Sequence, residues 1–541
     1  MQTRLLVFLL LVSPLLAFGQ VFTSSDLPIV VIDTRGGVIQ DDPKILADLS
    51  IIDNGAGKRN KLTDKASFTS VMGIEYRGAT SQQFFPKKPY GIELRDSSGV
   101  NSVAKSVLGM PAESDWVLNA TYNDKTLIRE TLTYDFYRKM SKYYASRFRY
   151  CELVVNGEYR GIYIVMERLK RDKNRVPITS IKKTDITGDA VTGGYILKID
   201  KTVGSTSRTW KSPYPSGTRN INLDIQIDRP KPEDLAEEQF QYIKKYVTDF
   251  EASLAGPDFA DPTKGFRAFV DEQSFIDYLI LTEVCKNVDG YRLSAYFYKE
   301  RDSKGGKITM GPIWDYNLTY GNADYCEGNS YAGWAFNFSR VCPKDDFAIP
   351  FWWDRLLQDL DFARKVKEKY KALRKTVLTP ERLGSFVDST ATVLTEARQR
   401  NFAKWPVIGT YVWPNGFVGR TYEAETDFLK RWIDQRLTWM DINIEPFGIL
   451  TALREEPNFT LGPNPSVGDV TLKLPLPAPT DVTVSLTDMQ GRPVQSHHWP
   501  AQPEGLFERT LPATDFSTGP GVYILTIKTQ SGHTSKVIVR E

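Results

Sequence analysis

The chain has 541 residues, 25% of them charged, and its 69 basic and 66 acidic side chains leave a formal net charge of +3. This balance argues against a nucleic-acid-binding protein, and the length allows one large domain with a sizeable core plus a smaller domain. The histidines, His497, His498 and His533, all lie near the C-terminus. The large domain therefore cannot be a Ser-His-Asp or Cys-His hydrolase or a His-ligated zinc enzyme.

The N-terminus has the features of a secretory signal peptide. Arg4 supplies a positive charge, residues 5–16 form an apolar run, and small residues surround the predicted cleavage point. The run is too short to span a bilayer. We predict a signal peptide over residues 1–19, a mature chain from Gln20, and no membrane-spanning segment after it.

The first part of the mature chain predicts an antiparallel sheet with one helix. Runs rich in β-branched and aromatic residues predict strands over residues 27–32, 71–76, 90–94, 151–155, 160–167 and 194–199. Asn156-Gly157 is the strongest hairpin-turn signal in the chain. Apolar residues at four-residue spacing predict a helix over residues 124–139.

The second part of the chain predicts a mainly helical region followed by a small β-sandwich. After a Ser/Pro/Gly-rich excursion over residues 202–232, helical spacing of apolar residues appears at 240–250, 275–282, 362–375 and 422–440. A boundary is predicted near residues 455–458, and period-two alternation follows it. The predicted fold class is α+β: an antiparallel sheet lobe, a mainly helical lobe, and a small all-β sandwich. Cys326 and Cys342 flank a Gly/Asn-rich loop and could form a disulfide in an oxidising compartment.

Two carboxylates form the first candidate site. Asp289 precedes a predicted strand over residues 295–299, and Asp315 follows the next one, over residues 307–313. A hairpin returns its two ends to the same side, so we expect these carboxylates to lie close together. Without a histidine, such a pair suggests magnesium and phosphate chemistry. The alternative is that each aspartate only stabilises a turn.

A second candidate is the loop over residues 77–83, which leads to Lys87 and Lys88. Its small and hydroxyl residues would let backbone N–H groups approach phosphate oxygens, which a lysine could neutralise. A solvated hairpin loop is the alternative.

Five motifs in this order resemble the spore-coat-protein-H (CotH) kinase family over roughly residues 27–446. They are Tyr76-Arg77-Gly78 with Phe85-Pro86-Lys87-Lys88, Asn123-Asp124-Lys125 with Arg129, Val155-Asn156-Gly157-Glu158-Tyr159 with Gly161-Ile162-Tyr163 and Glu167-Arg168, Asp289-Gly290-Tyr291, and Gly311-Pro312-Ile313-Trp314-Asp315-Tyr316-Asn317. The resemblance implies an atypical protein-kinase-like fold and transfer of phosphate from ATP to protein side chains.

The resemblance also implies roles for individual residues. Asp289 would be the catalytic-loop aspartate, Lys87 or Lys88 would contact the ATP phosphates, and Asp315, with Asn317, would hold magnesium. Residues implied to lie near the nucleotide or to hold the lysine are Arg77, Ser81, Glu167, Arg129 and Glu130.

The sequence departs from the family pattern at one position. Many relatives carry a metal-binding Asn five or six residues after the catalytic aspartate, where this chain has Ser294 and Ala295. A hydroxyl ligates magnesium weakly and a methyl group does not. Asn317, Asn322 and Asp324 are the candidates to compensate.

The C-terminal residues resemble the sorting domain of the bacterial type IX secretion system. The matching segments are Gly462-Pro463-Asn464-Pro465-Ser466, Leu486-Thr487-Asp488-Met489-Gln490-Gly491-Arg492, Gly519-Pro520-Gly521-Val522-Tyr523 and Lys536-Val537-Ile538-Val539. This resemblance implies interaction with the type IX secretion machinery and a secreted or outer-membrane cell-surface location. A plain adhesion β-sandwich is the alternative. The predicted domains are a signal peptide (1–19), a CotH-like kinase domain (20–455) and a sorting domain (456–541).

Two functions remain open on the sequence alone. The first is a secreted protein kinase, dependent on ATP and Mg²⁺, that phosphorylates Ser, Thr or Tyr hydroxyls of envelope or extracellular proteins. The second is a catalytically weak or inactive kinase-like surface protein that binds a polysaccharide or protein partner. Aromatic residues that could stack on sugar rings in the second case are Tyr325, Tyr331, Trp334, Trp352, Trp353 and Trp405.

Overall fold

The computed structural model describes residues 22–202, 205–445, 459–476, 479–489, 491–516, 519–529 and 532–541. The predicted signal peptide over residues 1–19 and the predicted domain boundary near residues 455–458 lie outside the described residues.

The structure is a mixed α and β fold, as predicted, with ten α-helices in its described part. The elements up to Glu167 are β1 (Ser24–Ser25), β2 (Ile29–Asp33), β3 (Ile45–Ile52), β4 (Asn60–Lys61), β5 (Phe68–Tyr76), α1 (Thr80–Phe84), β6 (Tyr90–Arg95), β7 (Lys105–Val107), β8 (Met110–Glu113), β9 (Asp115–Asn119), α2 (Arg129–Met140), β10 (Phe148–Val155) and β11 (Glu158–Glu167).

The elements that follow are β12 (Tyr195–Ile199), β13 (Thr209–Lys211), β14 (Asp224–Arg229), α3 (Glu237–Ala255), α4 (Glu272–Cys285), β15 (Ala295–Lys299), β16 (Ile308–Met310), α5 (Phe338–Val341), α6 (Trp352–Gln358), α7 (Leu360–Arg374), α8 (Pro380–Val393), α9 (Thr395–Lys404) and α10 (Tyr422–Asn443). The C-terminal strands are β17 (Thr460–Gly462), β18 (Val470–Leu476), β19 (Thr480–Asp488), β20 (Pro493–Gln502), β21 (Gly505–Leu511), β22 (Gly521–Thr529) and β23 (Gly532–Arg540).

The chain forms two compact units that are both discontinuous in sequence. The first, the barrel unit, comprises the described residues within Met1–Leu127, Ser146–Arg168 and Asp388–Thr410. The second, the helical unit, comprises the described residues within Ile128–Ala145, Leu169–Val387 and Tyr411–Glu541.

The barrel unit is built on a closed seven-stranded barrel in the order β10-β11-β9-β6-β5-β3-β2. The predicted antiparallel sheet is corrected here, because parallel pairing of β2 with β10 closes the sheet on itself. The other neighbouring strands pair antiparallel, as predicted. Alternate side chains, including Ile32, Met72 and Trp116, point into the barrel and form its core.

The Asn156-Gly157 turn is confirmed as the link between β10 and β11. Both residues have positive φ, +52° and +77°, as a two-residue type I′ hairpin turn requires. The loop predicted over residues 77–83 is corrected in part, since α1 begins inside it at Thr80.

Helix α9 belongs to the barrel unit although it follows β11 by more than two hundred residues. Its Arg400 guanidinium lies 2.5 Å from a carboxylate oxygen of Glu152, which is fully buried on β10. Glu396, one turn earlier on the helix, pairs with Arg59 at 2.7 Å. These ion pairs and an apolar contact around Ile162 attach α9 to the barrel.

The helical unit contains a five-stranded antiparallel sheet in the order β13-β14-β12-β15-β16. We predicted a Ser/Pro/Gly-rich excursion over residues 202–232. Part of this segment instead forms strands β13 and β14 of the five-stranded sheet. The hairpin of β15 and β16 is confirmed, with Phe297 opposite Met310. Trp352 and Trp353, each 1% exposed, pack among the aromatic residues of the core.

The C-terminal residues form the predicted small sandwich. Three strands pair antiparallel as β17-β18-β21 and four as β20-β19-β22-β23. Apolar side chains from both sheets, among them Leu472, Val484 and Leu525, share one core.

Candidate active site

Asp289 lies in a tight turn between α4 and β15. Its carbonyl oxygen accepts hydrogen bonds from the amides of Arg292 and Leu293, both at 2.9 Å, which closes the turn. Its carboxylate is 22% exposed, and Oδ1 accepts from Arg292 Nη2 at 2.8 Å and from the Tyr325 hydroxyl at 3.4 Å. Asp289 is therefore held from two sides while part of its carboxylate remains accessible.

Arg292 is the residue that holds Asp289 most tightly. Its side chain is only 3% exposed and stacks over the ring of Phe338 at 3.8 Å. Nε donates to the Val288 carbonyl oxygen at 2.9 Å, and Nη1 donates to Asp345 Oδ1 at 2.8 Å. Each of the three guanidinium nitrogens of Arg292 thus donates a hydrogen bond: Nε to Val288, Nη1 to Asp345 and Nη2 to Asp289.

The surroundings of Asp289 raise the pKa of its carboxyl group. Burial is the largest cause, and the Arg292 charge is the main opposing influence. The charge of Lys201 also lowers the pKa, whereas Asp345 and Asp200 raise it. A raised pKa makes a carboxylate a better proton acceptor near neutral pH.

The predicted disulfide between Cys326 and Cys342 is confirmed. Tyr325, immediately before it, stacks on Trp413 with ring centroids 6.4 Å apart. Trp413 is 45% exposed. An exposed aromatic surface therefore lies next to the hydroxyl group that contacts Asp289.

Asp315 follows strand β16 on the same side of the hairpin from which Asp289 enters it. The amide of Gly311 donates to the Tyr296 carbonyl oxygen at 2.8 Å, which continues the hairpin toward this end. Asp315 is exposed and has a positive φ of +63°, a conformation that is uncommon outside glycine. Such conformations concentrate at functional sites.

Asn317 and its neighbours form a short amide chain beside Asp315. Asn322 Nδ2 donates to the Asn317 carbonyl oxygen at 3.0 Å, and Asn322 Oδ1 accepts from Asn415 Nδ2 at 3.0 Å. Asp324 accepts a 2.6 Å hydrogen bond from the Tyr411 hydroxyl. Asn322 and Asp324, the candidates to compensate for the missing metal-binding Asn, therefore both have structural partners.

The donor set around Asp315 suits Mg²⁺. Within the described residues, no three or more His, Cys, Asp or Glu side chains cluster in a way that could hold a metal ion. A Mg²⁺ ion keeps several waters and commonly takes only one or two carboxylates besides substrate phosphates. The Asp315 carboxylate and the Asn317 amide oxygen are oxygen donors of the kind that this mode uses.

Helix α2 contributes Arg129 and Glu130 to the helical unit, and both are buried. Glu130 accepts a 3.1 Å hydrogen bond from the Tyr134 hydroxyl. Burial raises the pKa of Tyr134 well above its ordinary value, and the charges of Glu130 and Asp315 add to the effect. Tyr134 therefore links α2 to the segment that contains Asp315.

Lys87 is buried in the barrel unit, with 2% exposure. Its ammonium donates to the Ile162 carbonyl oxygen at 2.6 Å and to Asn401 Oδ1 at 3.0 Å, and lies over the Tyr163 ring at 4.9 Å. Burial lowers the pKa of Lys87 to about 7. The structure thus gives this lysine interior partners that the sequence did not indicate.

The remaining predicted site residues of the barrel unit also have intramolecular partners. Lys88 donates to the Gln82 carbonyl oxygen, and Ser81 Oγ lies 3.5 Å from the Arg77 carbonyl oxygen. Glu167 is fully buried and accepts from Arg147 Nη1 at 2.8 Å. The nucleotide contacts of these residues stay predictions.

Sequence reasoning missed the residues that hold Asp289 in place. Arg292, three positions after Asp289 in the same turn, could have been found as a local ion pair. Tyr325 and Asp345 gave no such signal, because the chain brings them to Asp289 only through folding.

Two family profiles match the chain. CotH kinase protein matches residues 74–440, and secretion system C-terminal sorting domain matches residues 461–540. Among curated proteins, none matches the chain. Across the described residues, every helix is too short or too polar to cross a membrane. The sorting domain implies secretion to the cell surface or beyond it, and contact with the secretion machinery. The chain belongs to the CotH kinase family and ends in a secretion-system sorting domain.

Proposed function

We propose that the protein is a secreted kinase that transfers the γ-phosphate of ATP, with Mg²⁺, to Ser, Thr or Tyr hydroxyls of envelope or extracellular proteins. The observation that carries this proposal is the Asp289 turn, in which Arg292 fixes a carboxylate of raised pKa. Both Asp289 and Asp315 lie inside the residues that the family profile matches. The kinase-like two-lobe arrangement is part of the same proposal.

In this proposal each residue has one task. Asp289 accepts a hydrogen bond from the acceptor hydroxyl and orients it, and its raised pKa lets it take the proton as the new bond to phosphorus forms. Asp315 and Asn317 would hold the magnesium ion. Bound Mg²⁺ would supply charge neutralisation on the β- and γ-phosphate oxygens. Arg292 keeps the Asp289 carboxylate in one orientation throughout.

The rival proposal is a kinase-like surface protein that binds a partner without phosphate transfer. Two observations favour it: Lys87 is engaged inside the barrel, and a half-buried Ser294 stands where relatives carry a metal-binding Asn. Of the aromatic residues considered for sugar stacking, Trp352 and Trp353 are part of the core, and only Tyr331 is clearly exposed, at 40%.

The test is magnesium-dependent incorporation of labelled γ-phosphate into the purified mature protein. Asp289→Ala and Asp315→Ala should each reduce incorporation by roughly 100-fold or more. Asp434→Ala, at an exposed position of α10, is the matched control and should leave it unchanged. If the wild type shows neither incorporation nor a nucleotide-induced shift in Tm, the binding-protein proposal replaces the kinase.

A further inference from the structure

Two of the residues that contact the Asp289–Arg292 pair, Tyr325 and Asp345, lie just outside the two ends of the disulfide loop, residues 326–342. Tyr325, whose hydroxyl is 3.4 Å from Asp289 Oδ1, directly precedes Cys326. Asp345, which binds Arg292 Nη1 at 2.8 Å, follows Cys342 by three residues, and its amide donates to the Cys342 carbonyl oxygen at 3.2 Å. The disulfide joins these two segments covalently, beside their other contacts: Tyr325 stacks on Trp413, and Arg219 pairs with Asp346 at 2.7 Å.

The middle of the disulfide loop is held independently of its ends. The buried ammonium of Lys286 donates to the carbonyl oxygens of Glu327 at 2.8 Å and Ser330 at 3.0 Å, and also to that of Ala332. The buried Glu283 carboxylate accepts from the amides of Ala335 at 2.7 Å and Phe336 at 2.9 Å.

Arg436 adds to this anchoring by donating to the carbonyl oxygens of Tyr331 and Gly333. None of these contacts reaches Tyr325 or Asp345. Breaking the disulfide should therefore affect the segments that carry Tyr325 and Asp345 more than the middle of the loop.

We propose that the Cys326–Cys342 disulfide is a positioning device for the candidate catalytic carboxylate and makes phosphate transfer depend on oxidation. The activity part of this inference rests on the proposed function. With the disulfide closed, Tyr325 and Asp345 hold Asp289 and Arg292 from opposite sides. In the reduced chain the same residues are present, but the pair loses this support.

The redox step is a thiol–disulfide exchange. The two thiols lose two electrons and two protons to an external disulfide, which becomes two thiols, and one sulfur–sulfur bond forms in the protein as the other breaks. The cytosol keeps thiols reduced, whereas compartments outside it are oxidising. The enzyme would thus remain weakly active until it leaves the cytosol.

The experiment compares the oxidised mature protein, the same protein reduced with dithiothreitol, and the Cys326→Ser/Cys342→Ser variant. The other two cysteines, Cys151 and Cys285, are buried free thiols, so the reductant acts on one bond. Each sample is assayed for phosphate transfer and for amide hydrogen exchange in peptides covering residues 286–295, which contain the Asp289 turn.

We expect reduction to raise hydrogen exchange in residues 286–295 and to lower kcat by roughly 10- to 100-fold through misplacement of the carboxylate. The KM for ATP should change little, and glutathione disulfide should restore kcat. In the double serine variant, exchange should equal that of the reduced protein and dithiothreitol should have no effect.

Unchanged hydrogen exchange after reduction would overturn the inference, and so would an active enzyme whose kcat does not respond to reduction. If exchange rises but the oxidised wild type transfers no phosphate, the positioning role of the disulfide is supported and the proposed kinase activity fails.

Discussion

Lys87 and Asn401, 314 positions apart in the chain, are joined by a 3.0 Å hydrogen bond inside the barrel unit. The same Asn401 oxygen accepts from the amide of Ile162 at 3.1 Å, and Lys87 donates to the carbonyl oxygen of Ile162. One lysine and one asparagine therefore satisfy both backbone groups of Ile162 on β11. A lysine that the family resemblance assigns to the nucleotide thus has a structural role as well.

Substitution of Lys87 separates these two roles. Lys87→Met should lower the free energy of unfolding by about 1–3 kcal/mol, because the Ile162 carbonyl oxygen loses a buried donor. Lys88→Met, at a half-buried neighbouring position, is the matched control and should lower the free energy of unfolding by less. Urea unfolding and nucleotide-induced Tm shifts report the two properties separately. If Lys87→Met keeps the wild-type free energy of unfolding but loses nucleotide binding, the structural role of Lys87 is contradicted.

Glu251 predicts a pH-dependent stability in the helical unit. It is 1% exposed, its Oε1 accepts from Ser212 and Trp352 at 2.8 and 2.9 Å, and burial raises its pKa to about 7. Between the unfolded pKa of 4.5 and about 7 the folded state binds more protons, so this group's contribution to stability falls as pH rises through that window.

Glu251→Gln stays neutral and should lack this dependence. The unfolding free energy of the variant minus that of the wild type should increase from about pH 5 to about pH 8. Chemical unfolding at several pH values measures it. A difference that is constant with pH would show that the pKa of Glu251 is not raised by folding.

Gly161 lies where α9 approaches the barrel most closely. Its φ is +92°, and an added Cβ would lie 2.5 Å from Asn401 Oδ1. Gly161→Ala should destabilise the protein by roughly 2–4 kcal/mol through backbone strain and displacement of Asn401. Gly157→Ala is the control, since Gly157 also has positive φ, +77°, but has nothing within 4 Å. Its cost should be about 1–2 kcal/mol, from the backbone alone. Equal losses in Tm for the two variants would exclude a steric role for Asn401.

Arg292 should set the acid limb of the pH–rate profile. Because its charge lowers the pKa of Asp289, Arg292→Gln should move the acid limb of kcat/KM for phosphate transfer to higher pH. Arg340→Gln, which removes an exposed ion pair with Asp354, is the control. An acid limb that stays in place in Arg292→Gln would mean that Asp289 is not the titrating group.

Local signals predicted much of the fold, and long-range pairing accounts for what they missed. The Asn156-Gly157 turn, the β15–β16 hairpin and the helices around Phe275 and Leu429 follow from turn chemistry and apolar spacing. Closure of the barrel depends on parallel pairing of β2 with β10, for which neither strand carries a signal of its own. Helix α9 was not predicted from its own residues, and its place in the barrel unit depends on strands more than two hundred positions earlier in the chain.

At the candidate site the sequence predicted the two aspartates but not their support. The family motifs contain Asp289 and Asp315, and the hairpin between them is local. Tyr325 and Asp345 lie on either side of the disulfide loop, and the folded chain brings them to Asp289 and Arg292. Such contacts are set by the tertiary structure, and no spacing rule gives them.

The discontinuity of the barrel unit has a consequence for the order in which the protein folds. Hairpins such as β10–β11 can form as soon as their residues are available, but Lys87 remains without Asn401 until residues 388–410 have followed. Closing so large a loop costs entropy before its contacts form. A chain that emerges from a secretion channel N-terminus first would complete its barrel unit, with helix α9, only when almost the whole region matched by the CotH profile had passed through. Proteolytic cleavage between residues 168 and 388 before that moment would leave the strands without the helix that ties them together.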